Sequence, residues 1–247
     1  MIETESRDGI AVVRLHRPAQ RNALVPPMLR SLVEHLQTAA SSSRSVILTG
    51  SGAAFCAGAD LKWLAGLKDP AMGVADLVAV HHLAISTIVD MPVPVIAAVN
   101  GAVAGGGLGL ALASDYCIAG RGASFTAAYF RLGLTPDGGS STFLVRAIGP
   151  ARTRELLLTN RRLSASEAYD WRLINEVVDD DQVVERAVSF AASLAFVPGY
   201  ALLQARRLLD ADNLRNQLQL ESVAIRTAAR GEFFRNALKE FREAHPD

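Results

Sequence analysis

Ionisable side chains are missing where this chain is most apolar. Residues 104–115 read AGGGLGLALASD, and nothing between Asn100 and Asp115 titrates. Cysteine is scarce as well: Cys56 and Cys117 stand far apart and in no CxxC pattern. That argues against a disulfide framework and for two reduced, buried thiols. Charge of one sign is also lacking, with 25 Lys and Arg balancing 25 Asp and Glu. There is no basic run and no ladder of interleaved aromatics, so neither nucleic acid nor an anionic membrane is an expected partner. The N-terminal MIETESRDG is polar and acidic and does not read as a signal peptide. The chain is expected to be cytoplasmic. The longest apolar run, 93–113, has the length of a membrane span, but it holds Pro94, Asn100 and five glycines. A strand, a turn and a buried helix explain it better.

What is present is enough for a large core. Half of the 247 residues are apolar and a fifth are charged, which fits one large domain or a domain with an appendage. Residues 9–15 (GIAVVRL) and 45–49 (SVILT) read as strands, as do 93–99 and 115–119. Between them, 26–40 carries Leu29, Leu32, Val33 and Leu36 at helical spacing after Pro26. Weaker helical patterns cover 74–89 and 107–114. This alternation, with strands apolar on both faces, predicts an α/β fold. Beyond Gly149 helices dominate: 151–158, 164–173, 180–195, 198–210, 214–230 and 232–242. Ser164 and Glu167 form a capping-box pattern. The last helices carry Phe233, Phe234, Leu238 and Phe241, an apolar face that must dock on the core or on a second subunit.

Several chemistries fail on spacing. The glycine cluster does not complete G-x-G-x-x-G, lacks the Lys-Ser/Thr of a phosphate loop, and there is no G-x-S-x-G. The five histidines show no metal-ligand spacing, and the adjacent His81 and His82 are expected to diverge on a helix. What remains is the glycine turn itself. Free N–H groups at the start of a helix can hold an oxyanion, and glycine lets an acyl group come close. AFCAGADLK, at a strand end before a helix, is the natural source of a second donor. Two tight turns with no function would look the same at this point.

The segments RPAQRNAL, AFCAGADLK, PVIAAVNGAVAGGGLGLALASD, GLTPDGGSSTFLVRAIG and LTNRRLSASEAYDWRLINEVV, in this order, resemble the enoyl-CoA hydratase/isomerase (crotonase) superfamily. The resemblance runs over nearly the whole chain. It implies a spiral core of ββα units over residues 1–190 and a C-terminal helical oligomerisation region over 191–247. It implies trimers, often stacked as hexamers, and acyl-CoA thioester substrates, with coenzyme A entering as part of the substrate and no separate cofactor. The oxyanion donors would be the backbone N–H groups of Ala59 and Gly106. Ala23 and Leu24 would border the CoA adenine, and Lys62 would lie near the CoA phosphates.

The two glutamates of the family's hydratases fall on Gly109 and Tyr129 here, and neither replaces a carboxylate near neutral pH. One acid does fit. GLTPDGGSS places Asp137 where the enoyl-CoA isomerases and the 4-chlorobenzoyl-CoA dehalogenases carry a catalytic aspartate. The dehalogenases also have a histidine at the position of His82. The Pro-Asp-x-Gly pattern follows the isomerases, so Asp137 is expected to move a proton between C2 and C4 of an enoyl-CoA, with Tyr129 shaping the acyl pocket. Alternatives are a hydratase-like lyase of fatty-acid oxidation, a dehalogenase-like hydrolase, and a non-catalytic acyl-CoA-binding protein. No metal is expected.

Overall fold

The computed structural model describes residues 1–209 and 214–245. The chain opens with an antiparallel hairpin of β1 (Ile2–Arg7) and β2 (Ile10–Leu15). β1 has no counterpart in the sequence reading, because it is an edge strand with four exposed residues and little apolar signal. α1 (Pro26–Ser42) follows, with proline in its first turn and the spaced Leu29, Leu32, Val33 and Leu36 all buried.

Three ββα turns then succeed one another. The first is β3 (Ser45–Gly50), β4 (Ala54–Cys56), α2 (Leu61–Ala65) and α3 (Pro70–Val89). The second is β5 (Val95–Val99), β6 (Ala102–Ala104) and α4 (Gly106–Leu112), and the third is β7 (Tyr116–Gly120), β8 (Ser124–Thr126) and α5 (Ser140–Thr159). β9 (Leu163–Ser164), α6 (Ala165–Asp170) and β10 (Glu176–Val178) complete the sheets. The first strand of each pair enters a six-stranded sheet, β1-β2-β3-β5-β7-β10; the second enters a four-stranded sheet, β4-β6-β8-β9. The second sheet escapes sequence reading because strands of two or three residues are too short to show a period.

The parallel strands alternate between two apolar layers. Val46, Leu48, Val95, Ala97 and Val99 face the larger core with α1 and α3. Ile47, Ile96, Ala98 and Ile118 face the other side, covered by α7 (Val183–Ser193). Burying each such leucine or isoleucine contributes about 1.5–3 kcal/mol. The 93–113 run becomes the expected strand, β5, and the expected buried helix, α4, with the short strand β6 where only a turn is expected. α3 has the length and hydropathy of a membrane span, but half of that window is buried, against α1, α4 and the helix Leu214–Ala229.

Two helices differ from the pattern. α5 begins at Ser140, not near 151, and bends at Gly149 (φ 74°, ψ 166°) before Pro150. Gly-Pro reads as a stop, yet both flanks stay helical and only the axis changes. The 180–195 helix starts with a 3₁₀ turn, Asp180–Gln182, before α7. α6 has the expected capping box between Ser164 and Glu167. The C-terminal helices are α8 (Gly199–Leu209), α9 (Leu214–Ala229) and α10 (Glu232–Ala244); Asp210, the expected end of α8, lies outside the described residues. Phe234 and Leu238 of α10 are buried with Leu64, Val74, Leu134 and Ile225. That apolar face therefore docks on its own core, whereas Phe233 remains 63% exposed.

Candidate active site

The site begins with a buried asparagine. Asn22 has φ +56° and is fully buried. Its amide donates to the carbonyls of Ser51 and Ala54, and its oxygen accepts from Arg17 N–H. Arg17 in turn donates to Ala23 O at 2.5 Å and to Asp60 Oδ2 at 2.9 Å. The other Asp60 oxygen caps α2 through Trp63 N–H. Leu24 completes the tie, donating to Gly58 O at 2.7 Å and accepting from Asp60 N–H at 3.0 Å. In this bridge the Ala59 N–H points away from Leu24, and no protein acceptor takes it among the described residues.

The second amide comes from the glycine triplet. Gly105 sits at φ +50°, ψ −124°, a conformation reserved for glycine, and α4 starts at Gly106. Gly58 (φ +83°) lies against this turn, and a β-carbon there would meet Ala104 O at 2.8 Å. Ala59 and Gly106 thus reach the same cavity, of about 130 Å³. The Gly106 N–H also has no protein acceptor among the described residues.

One carboxylate lines the same cavity. Asp137 is the only acid on the cavity wall among the described residues, and it is 5% exposed. Its Oδ1 lies 2.5 Å from His82 Nε2 and its Oδ2 lies 3.3 Å from His81 Nδ1. The adjacent histidines therefore do not diverge in function. Asp137 reaches α3 between them, and each ring swings to one of its oxygens. Burial pushes the Asp137 carboxyl up, but hydrogen bonds and charge from His81 and His82 outweigh it and hold the group at about 2. An ionised Asp137 places a proton on each facing imidazole nitrogen.

The loop around Asp137 is fixed from three sides. Tyr129 O–H donates to Asp137 O at 3.0 Å and accepts from Ser140 Oγ; burial pushes this phenol well above its ordinary value, so it stays neutral. Gly138 (φ +65°) has no room for a side chain, since a β-carbon would lie 2.1 Å from His81 Cε1. Glu221 of α9 accepts from Gly139 N–H at 2.7 Å, Ser141 N–H at 3.1 Å and Ser141 Oγ at 2.5 Å. It caps α5 from across the fold, where Gly139 offers no side chain. His82, Asp137 and Glu221 bring ligand atoms within 4.8 Å of one another, as a cation site would. Every carboxylate oxygen of that set already accepts a hydrogen bond within the fold.

The remaining expected residues are distributed as follows. Tyr129 and Leu24 line the cavity. Ala23 is buried and meets it only through its neighbour. Lys62 is exposed on α2, outside the cavity wall. Gly109 lies behind the Asp137 loop, and a β-carbon there would stand 2.3 Å from Gly138 O. Sequence reading missed Arg17, Asn22, His81 as a site residue, and Glu221. Arg17 and Asn22 lie in the RPAQRNAL segment but the resemblance gives them no role there, and Glu221 is 84 residues from Asp137 in the chain. Cys56 and Cys117 are pushed up to about 12 by burial and take no part.

A sequence model of the enoyl-CoA hydratase/isomerase family matches residues 5–246. The chain belongs to that family. It is 36% identical to a Rhodobacter capsulatus protein named "probable enoyl-CoA hydratase", covering 99% of this chain and 96% of that one. It is 36% identical to the 1,2-epoxyphenylacetyl-CoA isomerase of Escherichia coli, covering 94% and 92%. Identity to 4-chlorobenzoyl coenzyme A dehalogenase-2 of an Arthrobacter species is also 36%, covering 80% and 73%. An enoyl-CoA hydratase structure from Bacillus halodurans superposes with a TM-score of 0.88 at 26% identity, covering 97% and 99%. The spiral core and its C-terminal helices are thus those of a crotonase-family acyl-CoA enzyme, and the relatives divide among three activities.

Proposed function

We propose that this family member is an enoyl-CoA isomerase. The observation that carries the proposal is the single carboxylate, Asp137, on a cavity wall that also presents the Ala59 and Gly106 amides. The thioester oxygen accepts from both amides. Asp137 takes a proton from C2, and the negative charge spreads over the dienolate that the amides stabilise. The same acid returns the proton at C4, so the double bond shifts into conjugation with no water consumed. His81 and His82 favour the ionised form of Asp137, the form that accepts the C2 proton. The chemistry calls on no cofactor other than the coenzyme A of the substrate.

Hydration needs a second group to handle the proton. Gly109 cannot supply it, because Gly138 O fills the space that a side chain would need. The decisive assay follows a 3-enoyl-CoA to its conjugated 2-enoyl isomer by near-ultraviolet absorbance. Asp137→Asn should abolish the signal while acyl-CoA binding persists; an unchanged rate would overturn the mechanism.

The His82–Asp137 contact favours a second reading, aryl-CoA dehalogenation. Asp137 would displace chloride from the ring and form an aryl ester, and His82 would activate the water that hydrolyses it. Chloride release that depends on both residues would establish it. Against it, Tyr129 is the only large aromatic ring on the cavity wall among the described residues. We also propose a homotrimer or hexamer. Phe196, Leu208, Leu209 and Val223 of the C-terminal region are 66–82% exposed, an apolar surface suited to a second copy. Light scattering of the purified protein tests this.

A further inference from the structure

Among the described residues, the cavity wall holds one side-chain polar atom that the fold does not use. The His81 side chain is 3% exposed and lines the cavity beside Gly106, Tyr129 and Asp137. Its Nδ1 faces Asp137, but its Nε2 is buried with no hydrogen-bond partner. The ring cannot turn away to find one. It is wedged between two glycines: a β-carbon on Gly138 would lie 2.1 Å from Cε1, and one on Gly106 would lie 3.1 Å from Cε1 and 3.5 Å from Nε2. The Cε1–Nε2 edge therefore sits beside the backbone that offers the Gly106 N–H. A buried polar atom without a partner is costly, and such atoms in native folds call for an explanation.

Resting on the acyl-CoA reading of this site, we propose that His81 Nε2 selects thioesters whose acyl group carries a hydroxyl on the carbons beside the thioester. The place is set by Gly106, which holds the thioester oxygen, and by the aliphatic remainder of the wall: Leu64, Val78, Leu132, Leu134 and Ile225. The hydroxyl follows from donor–acceptor chemistry. With Nδ1–H directed at Asp137, a neutral His81 presents a lone pair at Nε2, and a cationic one presents an N–H. A hydroxyl answers either state, a ketone only the second, and an alkyl chain neither. A trapped water is the competing occupant.

Calorimetric titration of the native protein with 2- and 3-hydroxybutyryl-CoA against butyryl-CoA tests this. These saturated thioesters have no double bond to shift, so the readout is independent of isomerase turnover. At least one hydroxylated ligand should bind about tenfold or more tightly than butyryl-CoA, the scale of one well-made hydrogen bond. The ¹⁵N resonance of His81 Nε2 should move with that ligand and not with butyryl-CoA. His81→Leu should bring the two affinities together. Equal affinities in the native protein would overturn the proposal and assign Nε2 to a water. A preference that survives in folded His81→Leu would overturn it in favour of another residue. If His81→Leu does not fold, the native preference and the Nε2 resonance decide together. A hydroxyl preference without isomerase activity would sink the isomerase reading and leave this one standing; no binding of any of the three thioesters would sink both.

Discussion

Two glycine turns lead into helices in this molecule, and they are used in opposite ways. At Gly105–Gly107 the turn before α4 leaves the Gly106 N–H without a protein acceptor, on the wall of the cavity. At Gly138–Gly139 the turn before α5 has its amides closed by Glu221, reaching in from α9. The local sequences look alike: glycines, no side-chain cap, then a helix. One end is open, and in the proposed mechanism it receives the thioester oxygen. The other is sealed by Glu221, which ties the end of the Asp137 loop to α9. Burial pushes both carboxyls up, but their net shifts are opposite. Asp137 is held low by two histidines, whereas Glu221 is raised because burial outweighs its hydrogen bonds from Ser141 and Gly139.

The largest test of this division is chemical. Asp137→Asn is expected to lower isomerase kcat by about 10²–10⁴-fold, the usual contribution of a positioned acid or base, with acyl-CoA binding kept. Next comes the packing between the two turns. Gly109→Ala would force a β-carbon onto Gly138 O, which a rigid backbone cannot yield cheaply. A loss of about 1–3 kcal/mol is expected from overpacking, measured by urea unfolding, together with a fall in kcat as the Asp137 loop shifts.

Breaking the seal should cost less activity. Glu221→Ala strands Gly139 N–H, Ser141 N–H and the Ser141 hydroxyl, and a loss of about 1–3 kcal/mol is expected. A folded variant with full activity would show that the cap does not position Asp137. Glu221→Gln sharpens the point through pH. Because burial raises the Glu221 carboxyl, its contribution is fully present below its ordinary 4.5 and is lost as pH rises through the raised value. The glutamine variant should therefore lose less stability, relative to the native protein, at pH 7 than at pH 4.

Asp137 has the opposite sign. Its contribution is present above its ordinary 3.8 and is lost as pH falls through about 2. Acid unfolding followed by circular dichroism should show this limb in the native protein and not in Asp137→Asn. The smallest expected effect is at the thiols. Cys56 and Cys117 are buried and pushed up to about 12, so a thiol reagent should leave the rate of the native enzyme unchanged.

Much of the frame was legible along the chain. α1 showed its buried stripe, β3 and β5 showed strands buried on both faces, and α6 showed its capping box. Asp137, Ala59 and Gly106 could be singled out because each lies in a motif with the right neighbours. His81 could not, because adjacency on a helix says nothing of where the rings turn once a carboxylate lies between them. Glu221 could not either: an acid in a C-terminal helix looks like any solvated residue until α9 packs over α5. The bend at Gly149 and the two- and three-residue strands were lost for a simpler reason, since a kink reads as a stop and a short strand has no period.

By itself the sequence determined the alternation of strands and helices, the glycine turns and the absence of titratable groups between Asn100 and Asp115, because these depend on neighbours a few residues apart. Only the tertiary structure decided which helix start stays open, which acid seals the other, and that Asp137 shares its charge between two histidines while one of them turns a bare nitrogen to the cavity. Those outcomes depend on which segments the core brings together, and burial then sets how much each polar contact is worth.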